Sequence, residues 1–384
     1  MTGFWSNTVE INKSNFQFKS LSDWGLNFAV GCNHGCRFCY VPETATNKQA
    51  PKLREFGVDD PDSQWGEYVL LRPLNGKRFN ASLRKAQNTP LAALSEDGNR
   101  AVMLCTTTDP YQVLSGKDHK QMNQAFRRLR HTCLRRIRDN STLNVRILTR
   151  SPLAKEDFDL FKSFGNRLAF GMSLPTLDND LARIYEPNAP APTQRLKTLH
   201  QAAEAGLNVF VAIAPTYPEC GDEDIRATLS AVKALDPITI YHEPINVRAE
   251  NIARIESHAL SMGRQLKTEV FATPEAERRY KIAQLAMVQR LAQEEGVADR
   301  LHLWPDSDLT VKKHFKSMRR DDMEKRLGRQ MDADELLAFK VQVTDEYAAF
   351  NVWIDRWHGR ISEWPGKKRS NWQPPELPHF ITSP

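Results

Sequence analysis

The stretch Gly31-Cys32-Asn33-His34-Gly35-Cys36-Arg37-Phe38-Cys39-Tyr40 decides how this chain is read. It places three thiols within eight residues in the spacing C-x3-C-x2-C, directly after the apolar run 25–30, GLNFAV. Thiolates are the usual protein ligands of iron–sulfur clusters, and three of them on a short loop hold three corners of a [4Fe–4S] cube. The fourth iron then lacks a cysteine and is open to chelation by a small molecule. Gly31 and Gly35 suit a tight loop whose backbone approaches the sulfides. The alternative is a structural zinc site, which takes four ligands, commonly from paired Cys or Cys/His units. His34 is crowded between Cys32 and Cys36, and Cys105, Cys133 and Cys220 form no second close pair, so the iron–sulfur reading is favoured.

Working outward, the chain of 384 residues has room for two domains, or for one large barrel with an extension. Hydrophobic residues make up 40% and charged residues 26%, enough for a packed core and unlike a disordered chain. No apolar run approaches the ~20 residues that span a bilayer. The first twenty residues carry no apolar stretch after their basic residues, so no secretory leader is expected. Six cysteines in this length exclude a secreted disulfide framework. A soluble, cytoplasmic protein is the expectation. The net charge of +6 is compatible with a nucleic-acid partner without demanding one.

Apolar runs at 25–30, 101–105, 144–148, 167–172, 207–213 and 238–242 read as strands, with a short one at 68–71. Helical spacing of apolar residues lies between them, at 120–138, 154–164, 193–205 and 225–235. Residues 41–65 read as a long loop. Six parallel βα units are too few for a closed eight-stranded barrel and predict an open, partial (β/α)6 barrel. After residue 248 the pattern changes, to a long helical stretch at 275–295 and a highly basic stretch at 312–329. Residues 1–248 are therefore read as a core barrel with an N-terminal lead-in, and 249–384 as a helical, basic and Trp-rich extension.

The run C-x3-C-x-Φ-C, with Phe38 as the aromatic Φ, resembles the signature of the radical S-adenosylmethionine (SAM) superfamily. The stretches Cys105-Thr106-Thr107-Thr108-Asp109-Pro110-Tyr111-Gln112, Leu148-Thr149-Arg150-Ser151-Pro152-Leu153 and Glu186-Pro187-Asn188-Ala189-Pro190 are similar to its spore photoproduct lyase-like, DNA-repair-photolyase-like branch. The resemblance implies a [4Fe–4S] cluster held by Cys32, Cys36 and Cys39, with SAM as second cofactor. It implies reductive cleavage of SAM to a 5′-deoxyadenosyl radical that abstracts a hydrogen atom from a substrate. An electron donor such as flavodoxin or ferredoxin is implied, and a nucleic acid is the branch's substrate. The same chemistry on a peptide or small metabolite, or a non-catalytic iron–sulfur or zinc protein, are the alternatives. By the same resemblance Phe38 lies near the adenine and Tyr40 lines the same pocket. Thr108 and Asp109 bind the amine and ribose, Arg150 the methionine carboxylate, and Ser173 the ribose or carboxylate.

Cys105 has two readings. In relatives a nearby cysteine returns a hydrogen atom to the product radical. Here the run to Asp109 is one residue longer than that pattern, and in a strand one residue turns a side chain to the other face. A buried structural thiol is the competing reading. Cys133 falls on the apolar stripe of a helix, and Cys220 lies in a loop. Glu243 and Asn246 end the sixth strand and are expected at the substrate side, while His242 is equally a core histidine. Arg127, Arg128, Arg130, Arg135, Arg136 and Arg138 read as a solvated helix face. The basic stretch 312–329, interrupted by Asp321, Asp322 and Glu324, offers cations for phosphates. Trp353, Trp357, Trp364 and Trp372 beyond it offer rings for bases, although the i, i+4 spacing of Trp353 and Trp357 favours packing on one helix side.

Overall fold

The computed structural model describes residues 1–14, 21–115 and 119–382; part of the lead-in and the last residues of the extension lie outside them. The six expected strands form one parallel array: β1 (Trp24–Leu26), β2 (Ala101–Leu104), β3 (Asn144–Thr149), β4 (Leu168–Ser173), β5 (Asn208–Thr216) and β6 (Ile240–Pro244). A seventh, β7 (Leu301–Leu303), pairs parallel with β6. The strand Ile11–Lys13 runs antiparallel to β1 at the other edge, giving an eight-stranded sheet. Thus the extension, expected to be helical, also lengthens the barrel sheet.

Both faces of the sheet are buried, and the alternation along β5 shows how. Val209, Val211 and Ile213 pack against the outer helices, while Phe210, Ala212 and Ala214 face the barrel interior with Tyr241, Trp304 and Trp364. Period two therefore sorts small residues and rings to the inside and branched aliphatics to the outside. Gly171 on β4 makes room for the Phe210 ring, which a Cβ there would meet at 2.5 Å.

Two expectations are corrected. The run 25–30 is not one strand: β1 ends at Leu26, and Ala29–Val30 joins a separate three-stranded sheet with Val69–Leu71 and Thr2–Phe4. The side chain of Asn27 marks the break, donating to Thr106 Oγ1 (3.0 Å) and accepting from Thr107 N (2.9 Å). Residues 41–65 are not an open loop either. They hold the π turn Pro42–Thr46 and the short helices Asn47–Gln49, Ala50–Leu53 and Arg54–Phe56. Val41, Leu53, Val58 and Trp65 from this segment build a small second core with Cys32 and Tyr68.

Arg146 on β3 is buried inside the barrel, donating to Leu21 O (2.7 Å), with its guanidinium 5.0 Å from the Trp364 ring. Trp364 itself donates to Asn166 O (3.0 Å), so the extension braces the barrel interior. No helix among the described residues is long and apolar enough to cross a membrane. Trp364→Ala is expected to cost ~3–5 kcal/mol, since it opens a cavity beside a buried guanidinium. Urea titration should show a lower midpoint at unchanged slope. A loss below ~1 kcal/mol would mean that the segment does not brace the barrel.

Candidate active site

The carboxyl ends of the strands open into a cavity of about 530 Å³. Cys32, Cys36 and Cys39 line it together with Phe38, Tyr40, Cys105, Thr108, Asp109, Arg150 and Ser173. Glu243 and Asn246 line it as expected. The sequence reading missed Arg248 and the run Trp304–Ser307, which also form its wall.

The cysteine loop takes its shape from outside contacts. Gly31 has φ +88°, and a Cβ there would fall 2.1 Å from Tyr68 O, so no other residue fits. Gly31 O accepts from Thr108 Oγ1 (2.6 Å), whose oxygen accepts from Gln112 Nε2 (2.6 Å). Asn33 N donates to Gln112 Oε1 (2.5 Å), and Arg37 N donates to Tyr185 O (2.8 Å). Asn188 reaches back through its N–H to His34 O (3.3 Å) and through Nδ2 to Asn33 O (3.1 Å).

All three cysteines are free of disulfides. Burial pushes each thiol up to about 12, and binding to a metal would release that proton to give the ligating thiolate. Among the described residues no three His, Cys, Asp or Glu side chains converge to hold a single ion. Three sulfurs distributed along a loop around a shared cavity fit a polynuclear centre, in which each sulfur takes its own metal. His34, the candidate fourth zinc ligand, is buried and faces Asp109, with Nδ1 3.5 Å from Oδ2. Burial holds its pKa below the usual range.

Asp109 ties the strand ends together. Its Oδ1 accepts from Thr149 Oγ1 (2.7 Å) and Tyr111 N (2.7 Å), and its Oδ2 from Arg150 N (2.8 Å). Thr108 is likewise committed to Gly31. Both therefore build the loop and strand ends with the atoms expected to meet a ligand. Ser173 Oγ donates to Ala214 O (2.8 Å), keeping its lone pairs, and Tyr40 OH donates to Thr106 O (2.7 Å). Phe38 packs 5.9 Å from the Tyr217 ring, and the Arg150 guanidinium lies 5.5 Å over the Phe38 ring.

Arg150 is aimed by a buried carboxylate. Glu186 Oε1 accepts from Arg150 Nε (2.6 Å), and its Oε2 pairs with the buried Arg195. Arg195 in turn donates through Nε to Pro190 O (2.7 Å) and through Nη1 to Ser173 O (3.2 Å). Burial alone would raise the Glu186 carboxyl, but the two guanidiniums outweigh it and hold it down at about 2. Cys105 follows the last residue of β2 with φ +59°, a left-handed conformation costly for a residue with a Cβ. It is buried in the hydrophobic core and also lines the cavity.

Other expectations resolve as packing. His242 is a core histidine, with Nε2 3.1 Å from Thr216 Oγ1 and its pKa lowered by burial to about 3. Cys133 and Cys220 are core thiols. Arg130 does not lie on a solvated face: it is buried, paired with Asp157 (2.9 Å) and stacked on Tyr111 (3.9 Å). In 312–329, Arg319 pairs with Glu346, Arg320 with Glu324, and Arg329 with Glu335. Trp353 and Trp357 both donate to Gln289 Oε1 (2.8 and 3.1 Å) and are buried with Trp364, so these rings serve the core.

A family model described as the radical SAM superfamily matches residues 26–232. The chain belongs to that superfamily. Its members use a [4Fe–4S] cluster and SAM, and the fold and donor set described above suit both. An uncharacterized protein of Acidianus two-tailed virus, ORF301, is 31% identical over 245 residues, covering 62% of this chain and 73% of its own. An uncharacterized protein of Methanocaldococcus jannaschii, MJ0683, is 23% identical over 257 residues, covering 66% and 82%. Among solved structures, spore photoproduct lyase complexed with dinucleoside spore photoproduct shares the fold, with TM-score 0.51 and 14% identity over 79% of this chain and 81% of that one. A variant of that enzyme with bound AdoMet and dinucleoside spore photoproduct gives TM-score 0.52 and 14% identity over 80% and 82%.

Glu186→Gln would leave two buried guanidiniums without their counter-charge and should destabilise the fold by ~3–5 kcal/mol. In the wild type the depressed carboxyl adds stability that is full above its ordinary pKa of 4.5. That stability is lost as pH falls from there through about 2. Denaturation of both proteins between pH 7 and 3 checks this: the gap should narrow on acidification, and a constant gap would refute the assignment.

Proposed function

We propose that this radical SAM enzyme holds a [4Fe–4S] cluster through Cys32, Cys36 and Cys39 and binds SAM in the same cavity. The observation that carries the reading is the gathering of three unpaired cysteines and the strand-end polar groups around one chamber. Held by those three cysteines, a reduced cluster would supply the electron for reductive cleavage of SAM and so the radical chemistry that takes a hydrogen atom from the substrate. A low-potential donor such as flavodoxin or ferredoxin delivers that electron.

The chain's own residues bind and orient. Arg150, fixed by Glu186, presents a cation to the methionine carboxylate, and Ser173 offers its lone pairs to a ribose or amine donor. Phe38 and Tyr40 supply the apolar and hydroxyl-bearing wall for adenine. Thr108 and Asp109 act as positioning residues, Thr108 by shaping the cysteine loop and Asp109 by fixing the backbone of Arg150. The apolar share of the wall, including Met103, Leu148 and Ala212, excludes water from a reactive radical. Cys105 keeps its proton because burial raises its pKa, and its S–H is the candidate hydrogen donor back to the substrate carbon. In that transfer the hydrogen atom passes to carbon and the odd electron stays on sulfur.

A nucleic acid is the proposed substrate, supported by the shared fold with a lyase solved with a dinucleoside photoproduct. A second reading, a peptide or small metabolite, is favoured by the ion-paired Arg319, Arg320 and Arg329 and by the buried Trp353, Trp357 and Trp364. Two measurements separate the possibilities. Cys36→Ala should lower 5′-deoxyadenosine formation by at least ~100-fold; equal activity would sink the enzyme reading. Oligonucleotide affinity should fall about tenfold or more between roughly 50 and 200 mM salt if phosphates are contacted. Salt-independent or absent binding would favour the small substrate.

A further inference from the structure

The superfamily match ends at residue 232, yet the outer side of the cysteine loop is held by a helix beyond it, Asn251–Ser261. Arg254 Nε donates to Arg37 O (3.1 Å), and its Nη2 donates to Cys39 O (2.8 Å). Asn251 Nδ2 donates to Phe38 O (3.2 Å), and also to Asn246 O (2.8 Å) at the end of β6. The carbonyls of three successive loop residues are thus all taken by two side chains one turn apart on one helix face. Arg254 Nη1 also pairs with Asp62, and Asp62 Oδ2 accepts from Glu250 N (3.4 Å) at the start of the same helix. Arg254, Asp62 and Asn251 are all buried.

A buried ion pair is costly unless its remaining hydrogen-bonding groups are satisfied, and breaking one is costlier still. This pair is built where the loop carrying the third cysteine turns. A guanidinium suits the place, because its planar fork reaches two carbonyls and a carboxylate at once while keeping its charge at any working pH. A fixed cation beside a cluster ligand favours the more negative, reduced state of the cluster. Hydrogen bonding, net charge and burial around the ligands are the levers that set such potentials.

We propose that Asn251 and Arg254 form a clamp that fixes the Cys36–Cys39 turn and raises the cluster's reduction potential, making the post-barrel helix part of the cluster site. The inference rests on the ligand reading of Cys32, Cys36 and Cys39 given above. Both residues are positioning residues, acting through the loop carbonyls. Asp62 extends the clamp to the segment 41–65, so loop, segment and helix share one ionic junction.

The test uses the full chain, reconstituted anaerobically with iron and sulfide, as wild type, Arg254→Met, Arg254→Lys and Cys36→Ala. Iron and sulfide content, the midpoint potential, and the rate of iron release to a chelator are measured on each. Arg254→Met should shift the reduction equilibrium about tenfold toward the oxidised cluster, about 59 mV for one electron. It should also release iron about tenfold faster. Arg254→Lys keeps the charge but not the fork, so its midpoint should lie nearer wild type while release stays fast. Wild-type midpoint and release in both Arg254 variants, with Cys36→Ala depleted of cluster, would overturn the clamp alone. A full cluster in Cys36→Ala would overturn the ligand reading beneath it. If Arg254→Met fails to fold, the lysine variant decides, and wild-type iron release there refutes the clamp.

Discussion

The carboxylate of Asp109 is the contact on which the site depends. It is buried at the mouth of the barrel, where an unsatisfied charge would be prohibitive, and three donors from two strand ends saturate it. That saturation fixes the ends of β2 and β3 relative to each other. It also sets the backbone from which Arg150 projects, and it faces His34 of the cysteine loop. With Asp109 and Thr108 both spent on the loop and strand ends, the groups left to meet a ligand are fewer and better defined. They include the three thiols, Arg150, Ser173, Phe38, Tyr40 and Cys105, with Glu243, Asn246 and Arg248 on the same wall.

Around that centre the chain uses buried charge to hold shape. Glu186 joins Arg150 to Arg195, Arg254 joins Asp62 to the cysteine loop, and Arg146 fills the barrel interior among aromatic rings. Arg195, Arg254 and Arg146 each reach a backbone carbonyl of a segment distant in sequence. Such carbonyls arise wherever a loop turns without forming regular structure, and long planar donors satisfy several at once. The extension after β6 is part of this scheme. It supplies Trp364 to the interior, Trp304 to the cavity wall and the helix that grips the loop.

Features encoded locally were legible in the sequence. The cysteine spacing named the cofactor chemistry, and continuous apolar runs marked the six strands because both faces of a parallel sheet are buried. Features set by distant contacts were not. Asn27 breaks the first run through bonds to Thr106 and Thr107, which no local pattern announces. β7 has only three residues and carries a histidine, so no apolar run marks it as a strand. Arg130, Arg146 and Arg195 are buried against the general tendency of arginine, and Trp364 fills the core together with Trp353 and Trp357, whose i, i+4 spacing already favoured packing. Cys105 turns left-handed just past β2 and is both part of the core and at the cavity wall, so its local sequence does not separate its two readings.

In the proposed enzyme the three cysteines leave one iron of a [4Fe–4S] cluster open to SAM. Electron paramagnetic resonance of the anaerobically reconstituted, reduced protein, recorded with and without SAM, tests it most directly. The account predicts a [4Fe–4S]⁺ signal whose shape changes when SAM is added. A cluster signal indifferent to SAM, or a chain that takes up zinc and no cluster, would contradict it.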